Sequence, residues 1–149
     1  METDKSLQES LFSPFKRRFG PGRLVRWLIE KIHLLFLDAA MVHAGLAMLR
    51  LAGSASKQAD DRFADQLIML DEDAAGLLLR YADNNMLRHQ VPRMLAARAA
   101  WFASRAMNLQ PRALIRIDDA LTDFLAQRSD ALHACFFAKM ARDILRRRL

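Results

Sequence analysis

Between Arg23 and Ala52 apolar side chains recur on nearly every side of a helix, with no proline and with Gly45 as the one glycine. The stretch predicts a helix of about thirty residues, roughly 45 Å at 1.5 Å per residue, or two helices in series. It opens after Gly20-Pro21-Gly22, where a missing backbone donor and two flexible residues oppose helix, and closes at Gly53-Ser54-Ala55-Ser56. Residues 32–49 are interrupted only by His33, Asp38 and His43. A helix greasy on all sides must be enclosed, and three ionisable residues inside the run favour the centre of a bundle over a membrane span.

Later segments carry a narrower stripe. Ser56 is placed to cap the next helix, with Asp60, Asp61 and Asp65 near its positive end and Phe63, Leu67 and Leu70 on one face. Leu77, Leu78 and Tyr81 continue that face past Asp71-Glu72-Asp73, and the helix should end near Asn84-Asn85. Pro92 suits the first turn of a following helix that carries Leu95, Trp101 and Phe102 and stops at Asn108. Pro111 opens the last segment, either one long helix or two joined near Ser129-Asp130. Its expected stripes are Leu114, Ile117, Leu121, Phe124 and Leu125, then Leu132, Phe136, Met140 and Ile144. No sustained period-two alternation occurs. The fold class is therefore all-α, a bundle of four to six helices around the long apolar helix at about 23–52 with no β-sheet, in a single helical domain over 14–149 behind a flexible N-terminus at 1–13.

Composition sharpens this picture. A chain of 149 residues with 52% hydrophobic content can bury a core without staples, and the lone Cys135 excludes an intramolecular disulfide and a multi-cysteine zinc site. Residues 1–13 contain Glu2, Asp4 and Glu9 and no apolar core, unlike a secretory signal, so a cytoplasmic protein is expected. The net charge of +6 is unevenly spread. Residues 14–56 are mostly basic and 57–83 mostly acidic, while 84–116 hold arginines and no acid. Such blocks either pair between neighbouring helices or leave a basic face for a polyanion.

Few residues are grouped as chemistry requires. His33, Asp38 and His43 sit five apart, which on a helix turns side chains about 140° away from one another, so the trio does not converge on a metal and no cofactor is expected. Lys16, Arg17, Arg18, Arg23 and Arg26 are interleaved with Phe15, Phe19 and Trp27. Arg88 and Arg93 precede a heptad-spaced set, Arg98, Arg105 and Arg112. These ten basic residues are the candidate contacts to an acidic partner or a nucleic-acid backbone. Arg142 and Arg146 to Arg148 suit the negative end of a last helix.

Arg128-Ser129-Asp130-Ala131-Leu132-His133 resembles the arginine-to-histidine motif of the HEPN superfamily, small all-helical proteins that include dimeric RNases. The resemblance covers only these positions and implies Arg128 stabilising phosphate charge and His133 assisting proton transfer, with Ser129 departing from the polar amide or acid common there. The reading favoured by the residues is instead a non-enzymatic binding or assembly module that pairs with another protein or with itself as a homodimer. A nonspecific nucleic-acid-binding protein is the alternative, a HEPN-like RNase the second, and a membrane partner is disfavoured.

Overall fold

A computed structural model describes the backbone of residues 2–54 and 56–148 and the side chains of residues 22–54 and 56–148. It contains five helices, α1 (Glu2–Ala52), α2 (Lys57–Arg80), α3 (Asn85–Ala106), α4 (Pro111–Gln127) and α5 (Leu132–Arg148), and no strand among the described residues. The protein is an all-α bundle with a long apolar first helix. Two compact units divide it, residues 1–36 and residues 37–149.

The second unit holds the core. Its last helix, α5, packs on α2, α3 and α4. The face that makes this possible is small: Ala134, Ala138 and Ala141 are buried beside Phe137 and Leu145, and α3 answers with Ala99, Ala103 and Ala106 around Phe102. Alanines let helix axes approach closely, and the two phenylalanines fill the remaining space with ring centroids 5.8 Å apart and planes tilted by 50°. Each such ring removed from water contributes about 1.5–3 kcal/mol. The expected stripe of Leu132, Phe136, Met140 and Ile144 is therefore not the buried face: Leu132 and Phe136 are exposed, because close packing selects the alanine side over the bulkier one. On α4 the expected stripe holds at Leu114, Ile117, Leu121 and Phe124, which are buried, while Leu125 is only half-buried.

Helix boundaries depart from expectation at the end of α2, which stops at Arg80 rather than near Asn84-Asn85, and in two further places. α1 runs through Gly20-Pro21-Gly22 rather than starting there. Gly22 keeps a negative φ, so the triplet weakens the helix by one lost hydrogen bond and some chain entropy without terminating it. α3 begins at Asn85, a full two turns before Pro92, which lies exposed inside the helix. The stronger start signal is Asn84, whose side-chain oxygen accepts from the backbone N–H of Met86 and Leu87 at 3.0 and 3.3 Å, while buried Leu87 and Val91 fix the turns ahead of the proline. Ser56 caps α2 as expected, accepting from Ala59 N–H at 3.1 Å.

The join between α4 and α5 is capped from outside. Ser129 and Asp130 do not supply the cap; the Asp71 carboxylate of α2 does, accepting from the N–H groups of His133 and Ala134 at 2.8 and 3.0 Å. Asp71-Glu72-Asp73 thus leaves α2 unbroken, with Asp71 turned into the bundle and the other two exposed.

Residues 37–52 of α1 belong to the same unit and bury Leu37, Met41, Ala44, Met48 and Ala52. Gly45 sits against α3 so tightly that a Cβ there would stand 2.7 Å from Cζ3 of Trp101. Gly76 of α2 faces open space. Alanine at the two positions should therefore act with opposite signs: Gly76→Ala raises stability by about 0.5–1 kcal/mol through helix propensity, and Gly45→Ala lowers it by about 1–3 kcal/mol through overpacking. Urea denaturation of both variants measures this, and a stabilised Gly45→Ala protein would show that α1 does not press on Trp101. Asp71→Ala should cost about 1–2 kcal/mol in the same experiment, because two α5 donors lose their acceptor.

Candidate functional site

Two features of the long helix separate structure from function: an ion pair in its C-terminal part and an uncovered apolar row in its N-terminal part. The pair joins Asp38 of α1 to Arg98 of α3, with Nε to Oδ1 and an Nη to Oδ2 both at 2.6 Å. Two parallel charge-assisted bonds fix both the distance and the rotation of α1 on α3. Arg98 also lies 5.7 Å from the centre of the Trp101 ring, and Arg105 lies 5.2 Å from it. The indole thus gathers two guanidinium groups spaced a heptad apart. Arg112 does not join them, because it stands in the first turn of a different helix.

The other sequence-predicted contacts are scattered. Lys16, Arg17 and Arg18 lie outside the residues whose side chains are described. Arg23, Arg88, Arg93 and Arg112 are exposed. Arg88 donates to the carbonyl of Ala82, closing the turn between α2 and α3. Arg26 pairs with Glu30 one turn on, at 3.2 Å. Pairing between charge blocks, one of the two expected outcomes, does occur at Arg116, whose guanidinium meets Asp60 of α2 at 3.1 Å. Arg146 is held by Asp118 at 3.0 Å and donates to Thr122 as well.

Arg128 and His133 stand on either side of the α4–α5 join. The Arg128 guanidinium makes two bonds to Asp130, at 3.1 and 3.2 Å, which raises the arginine above its ordinary range and holds the carboxyl below its own. His133 occupies the first turn of α5, where its backbone N–H goes to Asp71. Cys135 is half-buried, its thiol donating to the Arg128 carbonyl at 3.0 Å, and burial pushes its pKa up, away from the thiolate form a nucleophile needs. A groove of about 570 Å³ between α2 and α4 is lined by carboxylates, including Asp60, Asp61, Asp119 and Asp123, interleaved with Lys57 and Arg116. No group of three His, Cys, Asp or Glu side chains among the described residues is arranged to hold a metal ion.

The apolar row is a different kind of surface. In residues 22–36, Val25, Ile29, Ile32 and Phe36 recur at intervals of four, three and four, which places them on one face, with Leu35 beside them. All five are exposed, Leu35 and Phe36 by 69% and 68%. Arg23, Arg26, Glu30 and Lys31 take other sides of the helix, and the Lys31 ammonium lies 5.8 Å from the Trp27 ring. The enclosure expected for residues 32–49 is thus met at Leu34 and from Leu37 onward, and not at Ile32, Leu35 and Phe36. By length and composition, residues 22–52 are apolar enough to cross a membrane, but a third of the most apolar window is buried within the protein.

Comparison with known protein families, with characterised proteins and with solved structures finds no match.

The ion pair carries a pH signature. The hydrogen bonds from Arg98 hold the Asp38 carboxyl below its ordinary 3.8, a preference opposed in part by burial and reinforced by the guanidinium charge. A lowered folded-state value means that the pair's stabilisation is complete above the unfolded value and is lost as pH falls through the folded one. Asp38→Asn should therefore lower the melting temperature by about 2–4 °C at neutral pH, for a loss of about 1 kcal/mol in a half-exposed pair. The gap between wild type and variant should begin to narrow below about pH 4 and vanish only once pH falls below the lowered folded-state value. A gap independent of pH would mean that the charge of Asp38 contributes nothing.

Proposed function

We propose that this protein is a non-catalytic helical docking module that works by contact with an anionic partner. The observation that supports this reading is the row Val25, Ile29, Ile32, Leu35 and Phe36, five large apolar residues on consecutive turns that remain exposed while the following part of the same helix buries its apolar face. Single exposed apolar residues are ordinary, but a contiguous row on a helix marks a surface that meets something. The bundle formed by residues 37–149 is then the scaffold and residues 22–36 the docking element, with the basic residues 16–31 drawing an acidic surface toward it. A catalytic reading has less support: Arg128 is occupied by Asp130, and the Cys135 thiol is held protonated.

A docking face differs from a core face in what its removal does to folding. The double substitution Ile32→Glu with Phe36→Glu should leave the melting temperature within about 2 °C of wild type, because both side chains are largely exposed and little buried volume is lost. Truncating or charging buried residues of that size costs several kcal/mol, so a drop of more than about 5 °C would place the row in the core and remove the docking reading. Differential scanning calorimetry decides between the two.

A further inference from the structure

We infer that residues 22–36 of α1 lie along an anionic membrane surface, with the apolar row in the boundary between headgroups and acyl chains and the basic side chains toward the acidic headgroups. This rests on the docking reading and names its target. At 100° per residue, Val25, Ile29, Ile32, Leu35 and Phe36 spread over an arc of about 120°, wider than the two-position seam that a single partner helix covers and suited to a flat apolar boundary. The remaining sides carry Arg23, Arg26 and Lys31, with Lys31 against Trp27. Bulky apolar residues on one side and Lys/Arg on the other is the composition of a helix lying in the interface plane.

Length separates lying from spanning. The second half of the apolar stretch is committed to the bundle by the Asp38–Arg98 pair and by buried Met41 and Met48. Residues 22–36 alone reach roughly 22 Å, short of the ~30 Å hydrocarbon core.

Charge separates lipid from a second copy. Residues 16–36 contain Lys16, Arg17, Arg18, Arg23, Arg26 and Lys31 against Glu30 alone. Glu30 is already paired with Arg26. A second copy of this segment would add like charge to like charge, whereas anionic lipid supplies charge of the opposite sign.

Co-sedimentation of the full chain with phosphatidylcholine vesicles, with and without phosphatidylglycerol, tests the inference. The protein should pellet with the anionic vesicles and not with the neutral ones, and added salt should release it. Arg23→Gln and Lys31→Gln should each weaken binding roughly fivefold, and Ile32→Glu with Phe36→Glu by more than about tenfold. Leu79→Glu, at an exposed apolar position of α2, should leave binding unchanged. Failure to bind anionic vesicles, equal binding to neutral ones, or a homodimer in light scattering that anionic vesicles do not dissolve would overturn the lipid assignment. If the Ile32/Phe36 double variant still melts with wild type in that case, the docking reading stands without its lipid target; if it melts early, both fall.

Discussion

A helix that is apolar around its whole circumference can be covered only where neighbours exist, and in this protein that limit falls within a single helix. From Leu37 to Ala52, α1 lies against α3 closely enough that Gly45 has no room for a Cβ beside Trp101. The Asp38–Arg98 pair fixes the rotation, so Met41, Ala44 and Met48 turn inward together. Over residues 22–36 six large apolar side chains, the five of the row and Trp27, are exposed. The helix itself continues unbroken across that boundary. What changes is the supply of partners.

Two aspartates connect elements that sequence separation keeps far apart. Asp38 links α1 to α3, and Asp71 links α2 to the start of α5. Each carboxylate meets two donors, and each replaces a device that would otherwise have to be local, a helix cap in one case and an added apolar contact in the other. The alanine faces of α3 and α5 then supply the closeness that makes such polar contacts reach. Large apolar side chains such as Phe102, Phe137, Leu67 and Leu121 fill the core, and small residues and charged contacts set how its helices meet.

What the sequence conveyed follows from which interactions are local. Helical class, the α2 cap at Ser56, the α4 stripe and the end of α1 at Ala52 depend on residues within a turn or two of one another, and each is visible as spacing. Asn84 was legible too, but a proline in the next two turns looked like the stronger start signal. The face of α5 was not legible, because its large residues Leu132 and Phe136 outweigh alanines in any hydrophobic pattern while close packing favours the alanines. A partial signal existed for Asp71: it stands four residues after buried Leu67 and three before buried Ala74, and a carboxylate on a core-facing stripe requires a donor. No sequence feature chose α5 as that donor, or Arg98 among the many arginines as the partner of Asp38. The exposed row of the candidate site was readable as apolar and basic, but its lack of cover belongs to tertiary structure.

Electrostatics gives the last constraint on what a partner can be. A net charge of +6 reads as a general attraction to polyanions, yet several of the arginines behind it are already committed. Arg98, Arg116, Arg128 and Arg146 each face a carboxylate within the bundle. Arg105 stacks on Trp101. A guanidinium in a bidentate pair must give up that pair to bind a phosphate, so these positions add less to polyanion binding than their number implies. Over residues 16–36 the basic residues outnumber the single acid, Glu30, and there the excess charge coincides with exposed apolar surface. A nucleic-acid backbone rewards the charge and leaves the apolar row in water. An anionic surface with an apolar layer beneath it satisfies both at once, which is why the two properties are best read together as one recognition element.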